Sequence, residues 1–346
     1  SNPPVRPGAD GHFDHLDVNS REFSAATMYA TVRRVLDIWE DYFGRQIQWH
    51  FRMDLEKLEL IPLINWDNAQ SGYGFLEFGF GRKPTGGIDR TRPYCQNFDV
   101  LAHELGHSII FAEVGVPSND SSNTDEYGGF HESAGDLVAM IASLHFNKMV
   151  DRILENSKGN LFTTNELNRM GELSETRQIR ELFNDLVMSP TISREPHDLS
   201  LPLTGAIFDI FVEVFQKELV QAGLISQELA IRSFNSPDEE ADNTIQAEFT
   251  AAYNGKQIQF KEAMLKARDY LGSLLAHAWN RDRISPDHLT YVKVGLQLMN
   301  SDIAVSGGQH QDTIRACFAW REISFPANSL AFQIRKLDDR GLLSYA

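Results

Sequence analysis

The string His103-Glu104-Leu105-Gly106-His107 sets two imidazoles four residues apart, with a carboxylate beside the first. In a helix, positions i and i+4 lie on one face, so both rings can converge on a single cation. Glu104 falls about 100° further round the helix. It cannot join as an in-line ligand, but it can reach a water held by the ion and take its proton. Without that chemistry the same string is a helix with two partly exposed histidines. Context has to decide between the two.

A catalytic zinc needs a third protein ligand and one open position. An extended form of the motif supplies Gly and His three and six residues after the second histidine. Here those positions are Ile110 and Glu113, so that form is excluded. The alternative is a glutamate from a second helix. Phe130-His131-Glu132-Ser133-Ala134-Gly135-Asp136 opens such a helix, and Gly115, Pro117, Gly128 and Gly129 supply turn residues in between. Glu132 is then the third ligand. Asp136, one turn on, is placed to accept the outer N–H of a metal-bound ring, that of His103 by preference. A solvated helical face is the plainer reading of Glu132 and Asp136, but their neighbours Ala134, Leu137, Val138, Met140 and Ile141 are small or apolar. His131 adjoins Glu132 but falls off its face. His145, His277, His288 and His310 have no partner at ligand spacing.

These residues need elements to hold them. Residues 1 to 19 read as an extended arm. Phe23, Met28, Val32, Val35, Leu36 and Trp39 then recur at helical spacing up to a stop at Gly44. Strand-like runs follow at 47–52, 58–64 and 74–80, and 81–95 is a Gly-, Pro- and Arg-rich loop. After Asn97 the pattern is helical almost throughout, over 97–114, 130–146, 203–222, 257–279, 286–300 and 309–321. Ser285-Pro286 marks a helix start. Residues 150–202 are irregular, and 236–244 form an acidic loop. The expectation is a mostly helical α+β chain. Residues 1–97 form a small mixed N-terminal lobe, and 98–346 a helical lobe that carries the metal site.

The chain has 346 residues, of which 42% are hydrophobic and 23% charged, as in an ordinary globular enzyme. Its net charge of −16 disfavours nucleic acid as a partner, because phosphate contact needs clustered Lys and Arg. No apolar run reaches the roughly 18 residues of a bilayer span. The start of the chain has no signal-peptide layout. Cys95 and Cys317 are too few for a disulfide scaffold, and are either one pair or two buried thiols.

The string HELGH followed by Glu132 and Asp136 on a second helix resembles the glutamate-zincin signature of the thermolysin family. Asn68-Ala69, leading to Phe78-Gly79-Phe80-Gly81, is similar to that family's edge strand, and Asp99 matches its Asp before the motif. The motif match is concentrated in 68–136, while the order of elements follows the family over most of the chain. The resemblance implies a two-lobe fold with the zinc helix in the cleft, and a secreted or extracytoplasmic setting. It implies hydrolysis of a peptide or protein substrate, by an endopeptidase, since no Gly-x-Met-Glu-Asn motif is present. It further implies that Asn68 and the Ala69 backbone bind the substrate main chain. A histidine near a helix start, here His197, and a tyrosine, here Tyr127, would steady the oxyanion, and Arg194 would reach a substrate carbonyl. The spacings of His197 and Tyr127 depart from the family's. Calcium is disfavoured, because Ser143 stands where an acidic ligand would be expected. Two rival readings remain: a catalytically weak relative that binds protein in the cleft, and a zinc hydrolase of a non-peptide substrate.

Overall fold

The computed structural model describes residues 4–163, 167, 182, 184–189, 193–235 and 239–326. Among these are ten α-helices and five short strands, and all five strands precede residue 94. The chain is therefore mostly helical with a small β component.

Helix α1 (Arg21–Phe43) is capped by the Ser20 hydroxyl, which accepts from the Phe23 N–H, and ends at Gly44 with φ of 66°. That left-handed conformation suits glycine. Strand β1 (Glu59–Ile61) pairs parallel to β3 (Phe75–Phe78), and β2 (Ala69–Gly72) pairs antiparallel on the other side of β3. The order β1-β3-β2 leaves β2 at an edge. Tyr73 and Gly74 make the turn between β2 and β3, with Gly74 at φ 84°. Strands β4 (Phe80–Arg82) and β5 (Ile88–Pro93) form a separate hairpin. The expected strand at 47–52 is absent; residues 47–49 are irregular and 50–52 lie in a turn. Strand β5 lies in the stretch expected to be a loop.

Helix α2 (Phe98–Glu113) starts from Asn97, whose side-chain oxygen accepts from the N–H groups of Asp99 and Val100. Asp99 lies in the first turn, where its charge meets the helix dipole; the cap itself is Asn97. Helix α3 (Asp125–Ser143) starts five residues before the sequence suggests, capped by Thr124. Gly128 and Gly129 consequently lie inside α3 and not in a turn. Both α2 and α3 are apolar or small on nearly every side and buried almost all round. They pack against each other, and α3 packs against α5 (Pro196–Gln221).

Helix α5 begins seven residues before the expected start. Pro196 takes the first helical position, and the Glu195 carboxylate accepts from the His197 and Asp198 N–H groups. Pro202 lies inside the helix. Helix α4 (Asn147–Ser157) runs into the stretch expected to be irregular, α6 (Gln227–Phe234) had no clear sequence signal, and α7 (Glu239–Tyr253) replaces the expected acidic loop from residue 239 onward. They are followed by α8 (Gln257–Ala278), α9 (Tyr291–Ser306) and α10 (Gln311–Trp320). The sequence placed the start of α9 at Ser285-Pro286. Instead the Ser285 hydroxyl accepts from the Asp287 N–H in a turn, His288 takes φ of 52°, and Thr290 caps the helix.

Trp39 of α1 stacks on Trp279 after α8, with ring centroids 5.2 Å apart, and its indole N–H donates to the Val138 carbonyl of α3. Cys95 and Cys317 are both buried and free, so the two-thiol alternative holds. No helix among the described residues is long and apolar enough to cross a membrane.

Candidate metal centre

The ligand helices meet at two glycines. A Cβ on Gly106 would lie 2.8 Å from the Gly135 Cα, and one on Gly135 would lie 2.8 Å from the His103 ring. Each glycine sits between residues of the proposed site: Gly106 between His103 and His107, Gly135 between Glu132 and Asp136. Without a side chain at either position, α2 and α3 cross closely enough for a carboxylate on one to meet imidazoles on the other.

They do meet. His103 Nε2 is 3.3 Å from one Glu132 oxygen, and His107 Nε2 is 3.6 Å from the other. One donor atom from each residue lies within 4.8 Å of both others. Donors held about 2.0–2.1 Å from a shared tetrahedral ion stand about 3.4 Å apart, so the spacing suits a small divalent cation. Two imidazoles and one carboxylate are also a donor set that such a cation accepts. The three residues can hold a metal ion.

The outer nitrogens of both rings are engaged. His103 Nδ1 is 2.8 Å from Asp136 Oδ1, as the sequence suggests, and both side chains are buried. His107 Nδ1 is 2.7 Å from His131 Nδ1. This contact corrects the reading that His131 points away from the site. A ring that offers Nε2 to a metal carries its hydrogen on Nδ1, so His107 donates and His131 accepts. His131 then keeps its own hydrogen on Nε2, and that atom is buried without a hydrogen-bond partner. Burial pushes the His131 pKa down to about 4, which keeps the acceptor neutral. Phe111 packs on its ring with centroids 4.2 Å apart, and Tyr127 approaches at 5.6 Å. The sequence did carry a signal for His131: a histidine next to a ligand on a wholly buried helix.

Glu104 is buried at 7% exposure on the same helix as the two rings. His197, in the first turn of α5, brings Nε2 to 3.4 Å from Glu132, while its Nδ1 is held by Glu195. Its side chain is half exposed, so it borders the cluster from solvent. The packing of α3 sets that position. A Cβ on Gly129 would lie 2.1 Å from the Tyr291 hydroxyl, and that hydroxyl donates to the Leu199 carbonyl of α5.

Other expected residues sit elsewhere. The Tyr127 hydroxyl donates to the Gly115 carbonyl at 2.8 Å, and its ring approaches His131. Arg194 is exposed and paired with Asp125 at 2.7 Å. Asn68 is exposed just ahead of β2, with its carbonyl accepting from the Gly79 N–H, and Ala69 opens the edge strand itself. That strand lies against α2, where the Ser71 and Ser108 hydroxyls are 2.8 Å apart.

A scan against protein-family models gives no match to this chain, and a search of curated proteins finds no relative.

Proposed function

We propose that this chain is a zinc-dependent peptidase, an endopeptidase with a thermolysin-like arrangement of lobes and cleft. One observation carries the reading. Two imidazoles and a carboxylate bring donor atoms within 4.8 Å of one another, and a second carboxylate, Glu104, follows the first of them in the helix. When bound, zinc supplies Lewis acidity, polarising a carbonyl and acidifying water.

The chain's own residues divide the remaining work. Asp136 and His131 fix the tautomer and direction of the two ligand rings. Glu104, buried and without competing bulk water, takes a proton from the attacking water and passes it to the leaving amine. In its imidazolium form His197, with its Nδ1–H held by Glu195, donates its Nε2–H to the oxygen on which negative charge develops. The edge strand β2 offers main-chain partners to an extended peptide, which favours a peptide over other hydrolysable substrates.

The test combines metal analysis with hydrolysis of a quenched-fluorescent peptide library. The expected result is about one zinc per chain and cleavage that stops with chelator and returns with zinc. Cleavage that persists in Glu104→Gln, or that ignores chelator, would remove the mechanism.

A further inference from the structure

A cavity of about 460 Å³ opens one helical turn beyond His107, walled by His50, Tyr73, Phe111, Val114, Val116 and Arg281 among others. None of these residues has a part in the chemistry above, yet the cavity adjoins that site on two sides. Phe111 follows His103 and His107 at the same four-residue interval along α2, and its ring rests on His131. Tyr73 follows Ser71 by two residues at the end of β2. Tyr73 itself lies in the turn that closes β2, and its ring lines the same cavity as Phe111 of α2. The tyrosine ring stands edge-on to His50, with centroids 5.2 Å apart, and His50 lies as close to Phe111.

The side chains that line the cavity differ in charge from the chain as a whole, with Asp54 just outside them accepting from the Tyr73 hydroxyl. The protein carries a net charge of −16, yet among the described residues lining this cavity Arg281 carries the formal charge and no carboxylate is present. Arg281 uses one N–H to donate to the Phe111 carbonyl at 3.0 Å, which anchors its guanidinium at the wall. Among the described residues no carboxylate pairs with it. His50 Nδ1 is buried there without a hydrogen-bond partner. A fixed guanidinium and an unmatched ring nitrogen, in a cleft with aromatic walls, are the complement of a carboxylate.

The direction of β2 decides which part of a peptide reaches it. Strand β2 runs from Ala69, past Ser71 beside Ser108, to the turn at Tyr73. A peptide added antiparallel to β2 travels the other way, so its N-terminal residues lie at the cavity. We propose that this cavity is a specificity subsite for an acidic side chain, Asp or Glu, on the N-terminal side of the bond to be cut, held by Arg281 and His50. This rests on the peptidase reading for its substrate, but not for its binding chemistry. Burial and the adjacent Arg281 hold the His50 pKa below its ordinary value, so the free ring is neutral and one of its nitrogens carries a hydrogen to donate.

Two measurements test it. The first is the affinity of labelled peptides for chelator-treated Glu104→Gln protein, with Glu, Gln or Lys at each successive position. The second is kcat/KM for the same peptides with the zinc-loaded native chain. At one N-terminal position, Glu should be favoured over Gln by about five- to tenfold, and less at high salt. Arg281→Gln, which keeps a donor for the Phe111 carbonyl, should erase the preference, and Arg281→Glu should turn it toward Lys. Equal affinity for Glu, Gln and Lys at every position would overturn the subsite, as would a preference that survives Arg281→Glu. Acid-selective binding without hydrolysis would sink the peptidase reading and leave the subsite standing. Hydrolysis without selectivity would do the reverse.

Discussion

Gly106 of α2 and Gly135 of α3 touch backbone to backbone, at a crossing where a single methyl group would intrude to 2.8 Å. The crossing sets the distance between the paired histidines and the glutamate. Gly106→Ala should push α3 outward by a few tenths of an ångström or more. That costs about 1–3 kcal/mol of stability and weakens zinc affinity as well. Gly135→Ala should act more strongly on the metal, since its methyl meets the His103 ring. Thermal melts with and without zinc, set beside chelator competition, separate the two effects. Native-like zinc affinity in both variants would contradict this account of the crossing.

His131 should act through His107. His131→Phe removes the acceptor for the His107 Nδ1 hydrogen and should weaken zinc binding by about 10- to 100-fold. His131→Asn keeps a side-chain oxygen acceptor and should recover much of that loss. The readout is the zinc dissociation constant from competition with a calibrated chelator. If Phe and Asn behave alike, the ring only fills space.

Glu104→Gln is nearly isosteric, so zinc content and the melting temperature should stay close to native. Its kcat/KM should fall by about 10²- to 10⁴-fold, the range for losing a positioned general base. Zinc lost along with activity would mean that Glu104 helps hold the ion.

The two oxyanion candidates should now part company. His197→Ala should lower kcat by roughly 10²-fold with little change in KM, as expected for a donor that engages only the developing charge. Tyr127→Phe gives up one buried hydrogen bond, to the Gly115 carbonyl, and should cost about 1 kcal/mol of stability. Its kcat should change by much less than that of His197→Ala. A larger kcat loss in Tyr127→Phe than in His197→Ala would reverse the assignment.

Acid should weaken the fold through His310. Its backbone N–H donates to Asp302, its ring lies against Tyr270 with centroids 4.3 Å apart, and burial pushes its pKa down to about 4. The unfolded chain takes up that proton near pH 6.5, while the folded chain resists it until about 4. Stability is therefore full above 6.5 and falls between 6.5 and 4, by on the order of 1–3 kcal/mol from this group. His310→Gln should flatten the melting temperature over that window relative to the native chain. An unchanged slope would show that other groups govern it.

The group that could hold a metal ion was legible in the sequence because it depends on local spacing: two rings at i and i+4, and Glu132 and Asp136 four apart on the next helix. His131 was hidden because helical side chains lean back toward the preceding turn, so a residue 100° off the ligand face can still reach a ring on the facing helix. His197 was placed near a helix start correctly, but the start itself lay seven residues earlier. Pro202 reads as a breaker, while Glu195 and Pro196 form a stronger beginning. In the same way, Ser285-Pro286 looks like a helix start, and the left-handed backbone at His288 defers the helix to Tyr291. The short α6 and the polar opening of α7 offered little apolar period to read. Strand β5 alternates poorly, with Arg90, Thr91 and Arg92 all exposed, and owes its form to pairing with β4.

Strand β2 also bears on how the molecules behave in each other's company. An edge that can take a guest peptide can take a neighbouring chain by the same ladder, and long bare edges invite stacking. Here the edge is four residues long and closes at once in the Tyr73-Gly74 turn. The few rungs it offers make pairing of two copies through β2 itself weak, while still matching the short stretch of a single extended guest strand.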